Sequence, residues 1–213
     1  MKTLLTSIII MLIFSQIGIC QNIKEGAYLS IEEFKENTPS YTCPLEIIER
    51  TKGNIKANGG NDYKIEADKS DITKKLLKKK VWGIYNNSTL YLNGIPITGY
   101  LWYAKVEIFG KYCFLRAAYP MNLAIQEELG LDKKEIGYMF GAVGGAMQGA
   151  KIATMRVPII YNLETSEKLL LTEHNIAKLI KAHSVLSKEF NDEPNKTEEK
   201  VLLKYLTRLN EIQ

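Results

Sequence analysis

The chain has 213 residues, a formal net charge of +4 and 46% hydrophobic residues. That length suits one domain whose core can stand without disulfide or metal staples. So small a charge excess, with both signs interspersed, excludes the strongly basic class that binds nucleic acid through its phosphates.

The chain opens on MKTLLTSIIIMLIFSQIGICQ, which reads as a secretory signal peptide over residues 1–20. Lys2 supplies the positive lead, residues 4–14 are apolar and uncharged, and Gly18 and Cys20 are the small residues before a cleavage at Gln21. The apolar run is shorter than the ~20 residues that comfortably span a bilayer, which disfavours a retained anchor. Lipidation at Cys20 is an alternative, opposed by the bulky Ile19 in front of it. On this reading the protein is exported to the periplasm or cell envelope, and residues 21–213 form a single domain.

Ser30 followed by Glu33 is a capping box, so a helix is expected to start at Ile31 and to close by Pro39. CPLEIIERT reads as extended or mixed, and KGNIKANGGND as turn-rich with Gly59–Gly60 at a loop tip. KKLLKKK at 74–80 reads as a solvated face or strand lead-in, with an anionic-surface patch as the alternative. From residue 81 the period becomes two. VWGIYNNSTLYLNG is strand, turn, strand, and GYLWYAKVEIFGKYCFLRAAY is a hairpin turning at Gly110–Lys111. Tyr100, Trp102, Ala104, Val106 and Ile108 alternate with a mixed set, as suits an antiparallel sheet with one buried face. RVPIIYNLETSEKLLLT is a further hairpin, whose Pro158 marks an edge or a strand start. Thr172 caps a helix through Ile176, Leu179 and Ile180, and Val201, Leu202, Tyr205, Leu206 and Leu209 define a last one. The fold class expected is α+β: an antiparallel β-meander packed with N-terminal and C-terminal helices and a glycine-rich insertion at 120–155.

Within the insertion, GYMFGAVGGAMQGA sets Gly137, Gly141, Gly145 and Gly149 four apart. It is no phosphate loop, because Lys151 falls one place late and Ile152 stands where a hydroxyl is needed. As a helix it would have one smooth row of small residues, which lets backbones approach closely. Each glycine disfavours helix by ~1 kcal/mol, so a close neighbour or lipid is needed to offset them. The readings are a packed segment, a flexible loop, or a helix over 136–155 that meets a protein partner, another copy or a membrane surface.

His174 and His183, nine apart, match no metal-ligand spacing, and no nucleophile elbow or zinc-protease motif occurs. No catalytic, cofactor-binding or metal-binding residue is therefore assigned, and no cofactor is expected. Residues 82–119 carry ten of the chain's twenty aromatics. Trp82, Tyr91, Trp102 and Tyr103 are the candidate platform for a glycan-like ligand or a partner, against the alternative of cross-strand packing. Cys43 and Cys113 are a candidate disulfide if the chain is exported, with unpaired core thiols as the alternative.

GAYLSIEEFKENTPS, KKKVWGIYNNSTLYLNG, FGKYCF, YNLETSEKLLLT and the helical tail follow in this order. In that series the chain resembles an uncharacterised family of small exported Bacteroidetes proteins, a domain of unknown function. The resemblance implies the cell envelope as location and carries over no catalytic residue. Two functions follow: a non-catalytic envelope protein that binds a partner or membrane surface, or a soluble periplasmic ligand-binding domain or enzyme using the aromatic sheet face.

Overall fold

The computed structural model of the chain describes residues 23–68, 72–130 and 154–212. The leader at 1–20 and the glycine stretch with Gly137, Gly141, Gly145 and Gly149 lie outside the described residues. In chain order, β1 (Gly26–Tyr28), α1 (Ile31–Lys35), β2 (Leu45–Glu49), α2 (Lys52–Asn58), β3 (Tyr63–Ala67) and α3 (Lys74–Lys79) come first. Next are β4 (Gly83–Asn86), β5 (Thr89–Asn93), α4 (Gly94–Thr98), β6 (Tyr103–Ile108), β7 (Tyr112–Ala117) and α5 (Leu123–Glu128). After the second gap follow β8 (Val157–Asn162), β9 (Lys168–Leu170), α6 (Glu173–Ile180), α7 (Ser184–Asp192) and α8 (Glu199–Glu211).

Hydroxyl caps set the helix starts. Ser30 Oγ accepts the Glu33 N–H at 3.3 Å, and Glu33 reaches back to the Leu29 N–H at 2.8 Å, one residue before the cap. Thr172 Oγ1 accepts the Asn175 N–H at 3.3 Å. Two segments read as turn and lead-in are helices for the same reason. Thr51 caps α2 by accepting the Asn54 N–H at 3.2 Å, and Thr73 caps α3 by accepting the Leu76 N–H at 3.3 Å.

All strand pairs are antiparallel, in the order β1-β4-β5-β6-β7-β8-β9, with β2 and β3 as a ribbon joined to β6. One edge of β6 is taken by β5 through Tyr91↔Lys105, Leu92↔Ala104 and Asn93↔Tyr103. Its other edge is divided. β3 takes Tyr103 through Tyr63, and β7 takes Val106 through Leu115. The sheet therefore forks along β6, and the residues just before β3 fall into the fork. β6 begins at Tyr103 instead of Tyr100, because Trp102 turns the backbone to φ +73°.

Both faces of β7 are buried. Cys113, Leu115 and Ala117 join Phe34, Trp82 and Leu92 in one core, while Tyr112 and Phe114 join Ile176, Phe190 and Leu206 in a second, under α6, α7 and α8. A third core sets Leu77 of α3 and Ile72 against Ile65, Ile84 and Tyr103. The cysteines fall in different cores and no disulfide joins them. The bridge considered from sequence is thus not formed. Burial pushes the Cys113 thiol up to about 12.

Candidate functional site

The fork in the sheet is where polar chemistry concentrates. β2 ends at Glu49, and the next residue, Arg50, is buried at 8% exposure. Its Nε donates to Asn54 Oδ1 at 3.0 Å, and its Nη1 donates to the carbonyls of Gly59 at 2.8 Å and Asn61 at 2.5 Å. A second guanidinium grips the same loop. Arg156 Nη2 donates to the Gly60 carbonyl at 3.0 Å, and its Nε and Nη2 hold Asp62 in a two-pronged pair at 2.7–3.0 Å. The tight turn this requires is made by Gly59 and Gly60, at φ +62° and +80°.

Asn61 is the plug that the two arginines hold in the fork. Its backbone N–H donates to the Leu101 carbonyl at 2.9 Å, its Nδ2 donates to the Trp102 carbonyl at 3.3 Å, and its Oδ1 accepts the Ala118 N–H at 2.7 Å. One amide thus ties the start of β6 to the end of β7. Position 94 must be glycine here, since a Cβ would lie 2.0 Å from Asn61 Nδ2 and 2.6 Å from the Tyr100 carbonyl.

Trp102 is held by this arrangement. Left-handed backbone at a tryptophan costs about 1–3 kcal/mol and persists only where the surroundings over-determine it. Here its carbonyl accepts from both Gly94 N–H, at 2.8 Å, and Asn61 Nδ2, while its ring lies so close to Gly60 that a Cβ there would meet Trp102 Cδ1 at 2.8 Å. The half-buried indole has the Arg50 guanidinium carbon 5.2 Å from its centroid and Lys78 Nζ at the same distance. Each contact is worth roughly 0.5–2 kcal/mol.

Around this indole lies a cleft of about 560 Å³ lined by Arg50, Thr51, Asn54, Asn58, Lys78 and Trp102. Small-molecule sites fall at about 300–1,000 Å³. Lys64 also lines it but is paired with Glu66, and Glu49 is the carboxylate of the lining. Arg50 Nη2 is buried and has no hydrogen-bond partner, alone in this among the buried side-chain nitrogens and oxygens of the described residues. Natural proteins leave few such groups, and each points to strain, chemistry or an absent acceptor. Burial pushes the Arg50 guanidinium down from its ordinary value and Arg156 pushes the same way, with Asp62 offsetting them. Two guanidiniums thus share one carboxylate, and Arg156 holds it.

Of the four aromatics read as a platform, Trp102 alone lines this cleft. Trp82 is 7% exposed, 5.4 Å from Phe34 and 6.5 Å from Tyr161. Tyr103 is 2% exposed and its hydroxyl donates to the Leu77 carbonyl at 2.5 Å, in a setting that raises its pKa by burial. Tyr91 is half-buried and stacks edge-on with Tyr63 at 5.1 Å. The residues that sequence reasoning missed are Arg50, Asn54 and Asn58. Asn54 and Asn58, four apart on the Thr51-capped helix, with Arg50 just ahead of the cap, were the available signal, hidden by the turn-rich composition of KANGGND.

The chain belongs to the family of unknown function DUF6563, which matches residues 26–213. No curated protein and no solved structure matches it. The DUF6563 match starts at β1 and takes in every strand and helix described above, so the Arg50–Trp102 cleft lies inside it. Among the described residues of this DUF6563 chain, no helix is long and apolar enough to cross a membrane, and no group of three or more His, Cys, Asp or Glu is placed to hold a metal ion.

Proposed function

We propose that this DUF6563 protein is an exported cell-envelope protein that works by binding, and that the cleft over Arg50 and Trp102 holds its ligand. The observation that carries the reading is the buried, unpartnered Nη2 of Arg50 beside a half-buried tryptophan fixed in left-handed backbone. Strain and unsatisfied donors collect where a protein keeps a surface ready for something else. A guanidinium, two ammoniums, one exposed carboxylate, amides, a hydroxyl and an indole line the cleft, a set able to hold and orient a ligand. Export is supported by the leader-like 1–20 segment.

Two measurements test this. Mass analysis of the mature protein is expected to give an N-terminus at Gln21, and an intact Met1 in the fractionated envelope would contradict export. A thermal-shift panel of small metabolites and glycans is expected to give at least one ligand whose stabilisation is lost in Trp102→Phe. A panel without such a ligand would contradict the binding reading.

The row Gly137, Gly141, Gly145 and Gly149 supports a second contact, with a protein partner, another copy of the chain or a membrane surface. Deleting 136–153 is expected to change envelope fractionation or self-association while leaving the cleft's ligand binding in place. An unchanged profile would remove that contact.

A further inference from the structure

We infer that the ligand of the Arg50–Trp102 cleft is an acidic sugar, a saccharide ring that carries a carboxylate or a phosphate. The inference rests on the binding reading above and adds the ligand's chemical class.

The anion follows from the charge and donor balance at the fork. Arg156 spends its Nε and Nη2 on Asp62, so that carboxylate is already taken. Arg50 spends its Nε and Nη1 on Asn54 and the loop carbonyls, which are neutral acceptors. Its charge is therefore buried without a counterion held against it, and its Nη2 is left with N–H groups and no acceptor. A buried cation in that state is costly until an anion meets it. Lys78 supplies a second positive charge on the lining, while Lys64 is engaged by Glu66. Glu49, exposed, is the carboxylate that the ligand's anion must avoid, which places the anion on the Arg50–Lys78 side of the cleft. The indole and the Lys78 side chain are both more exposed than the Arg50 guanidinium, and they line the cleft together with it.

The ring follows from Trp102. Its indole is half-buried, its backbone is fixed at both carbonyl contacts, and the Arg50 and Lys78 cations both lie over the ring. An anion that reaches those cations therefore carries its own ring to a rigid aromatic surface. An inorganic anion has no use for such a surface. The hydroxyls follow from α2. Thr51, Asn54 and Asn58 line the cleft beside the indole. Thr51 Oγ1 already accepts the Asn54 N–H, Asn54 Oδ1 accepts from Arg50, and Asn58 Nδ2 donates to the Asn54 carbonyl. The Thr51 hydroxyl proton, the Asn54 Nδ2 and the Asn58 Oδ1 are therefore the groups that face hydroxyls of a ligand. Anion, aromatic surface and hydroxyls together describe an acidic saccharide.

The test is calorimetric titration of the exported chain with five probes: oligogalacturonate, its methyl ester, glucose 6-phosphate, glucose and inorganic phosphate. Oligogalacturonate or glucose 6-phosphate is expected to bind at least tenfold more tightly than its neutral counterpart, and the arm that does so identifies carboxylate or phosphate as the anion. Lys78→Gln is expected to weaken that binding roughly tenfold at unchanged thermal midpoint, and Trp102→Phe to weaken it further. Equal binding of the acid and its ester, or of glucose and its phosphate, would overturn the anion and leave the cleft as a binding site. Inorganic phosphate binding as tightly as glucose 6-phosphate would overturn the ring. Absence of binding by both acidic sugars would overturn the inference, while the metabolite panel above decides the binding reading separately. Unchanged affinity in both variants would overturn the assignment to this cleft.

Discussion

The two ends of the sheet are held by different physics. Where β7 and β8 lie under α6, α7 and α8, the contact is apolar: Phe114, Ile160, Ile176, Ile180 and Leu206 are essentially without solvent exposure. Where the β2–β3 ribbon joins β6, the strands share only the Tyr63↔Tyr103 pair, and Arg50, Asn61, Asp62 and Arg156 make up the difference. Apolar burial is non-directional, so it fixes a layer without leaving a specific group over. Hydrogen bonds are counted one by one, so a polar clamp can end with a donor to spare, and this one does. The difference teaches that the first region builds the fold, while the second leaves an unpartnered buried donor on a residue that lines a cleft.

Mutations can break that contrast. Phe190→Ala, which removes a ring stacked 4.9 Å from Tyr205 in the C-terminal core, is expected to cost about 3–5 kcal/mol by urea denaturation. Asn61→Ala leaves the buried Ala118 N–H without its acceptor and unties β6 from β7. The expected cost is about 1–3 kcal/mol, with a larger change in Trp102 fluorescence than in Trp82. Asp62→Asn removes the partner of Arg156 and leaves two guanidiniums facing each other. Because Asp62 is about a third exposed, its expected cost is smaller, about 1–2 kcal/mol, and it should shrink with added salt.

The smallest effect is on chemistry in the unperturbed protein. Cys113 has its ordinary value near 9 pushed up to about 12 by burial, so a thiol reagent at pH 8 is expected to modify half-buried Cys43 and to reach Cys113 only on unfolding. The same shift has a sign for stability. The folded thiol holds its proton where the unfolded one has lost it, so the contribution is complete below pH 9 and is lost as pH rises from 9 toward 12. Tyr28, pushed up to about 12 by burial and by Tyr85, adds to the same alkaline loss.

Much of the fold was legible because its signals are local. Ser30 with Glu33, Thr172, the 110–111 hairpin turn and the apolar spacing from Val201 to Leu209 each need only a few neighbouring residues to act. Helix α4 was missed because GIPIT is short and contains Pro96, which is tolerated in the first turn, where its missing N–H would bond to nothing within the helix. The strand start at Tyr103 was misplaced because nothing in YLWYA announces that Trp102 takes a positive φ. The site was least legible of all. Arg156 meets Asp62 across 94 residues and Asn61 meets Ala118 across 57, and no periodicity encodes such pairings. Trp102 was singled out with three other aromatics, but composition could not separate it from Trp82 and Tyr103, which the helices and neighbouring strands cover.

The two tryptophans allow the central claim to be tested in one spectrum. A nitrogen-15 labelled chain gives one indole N–H resonance for Trp102 in the cleft and one for Trp82 in the core. Titration with oligogalacturonate or glucose 6-phosphate is expected to move the Trp102 resonance saturably and leave that of Trp82 in place. Movement of Trp82 alone, or of neither resonance with both probes, would contradict the account.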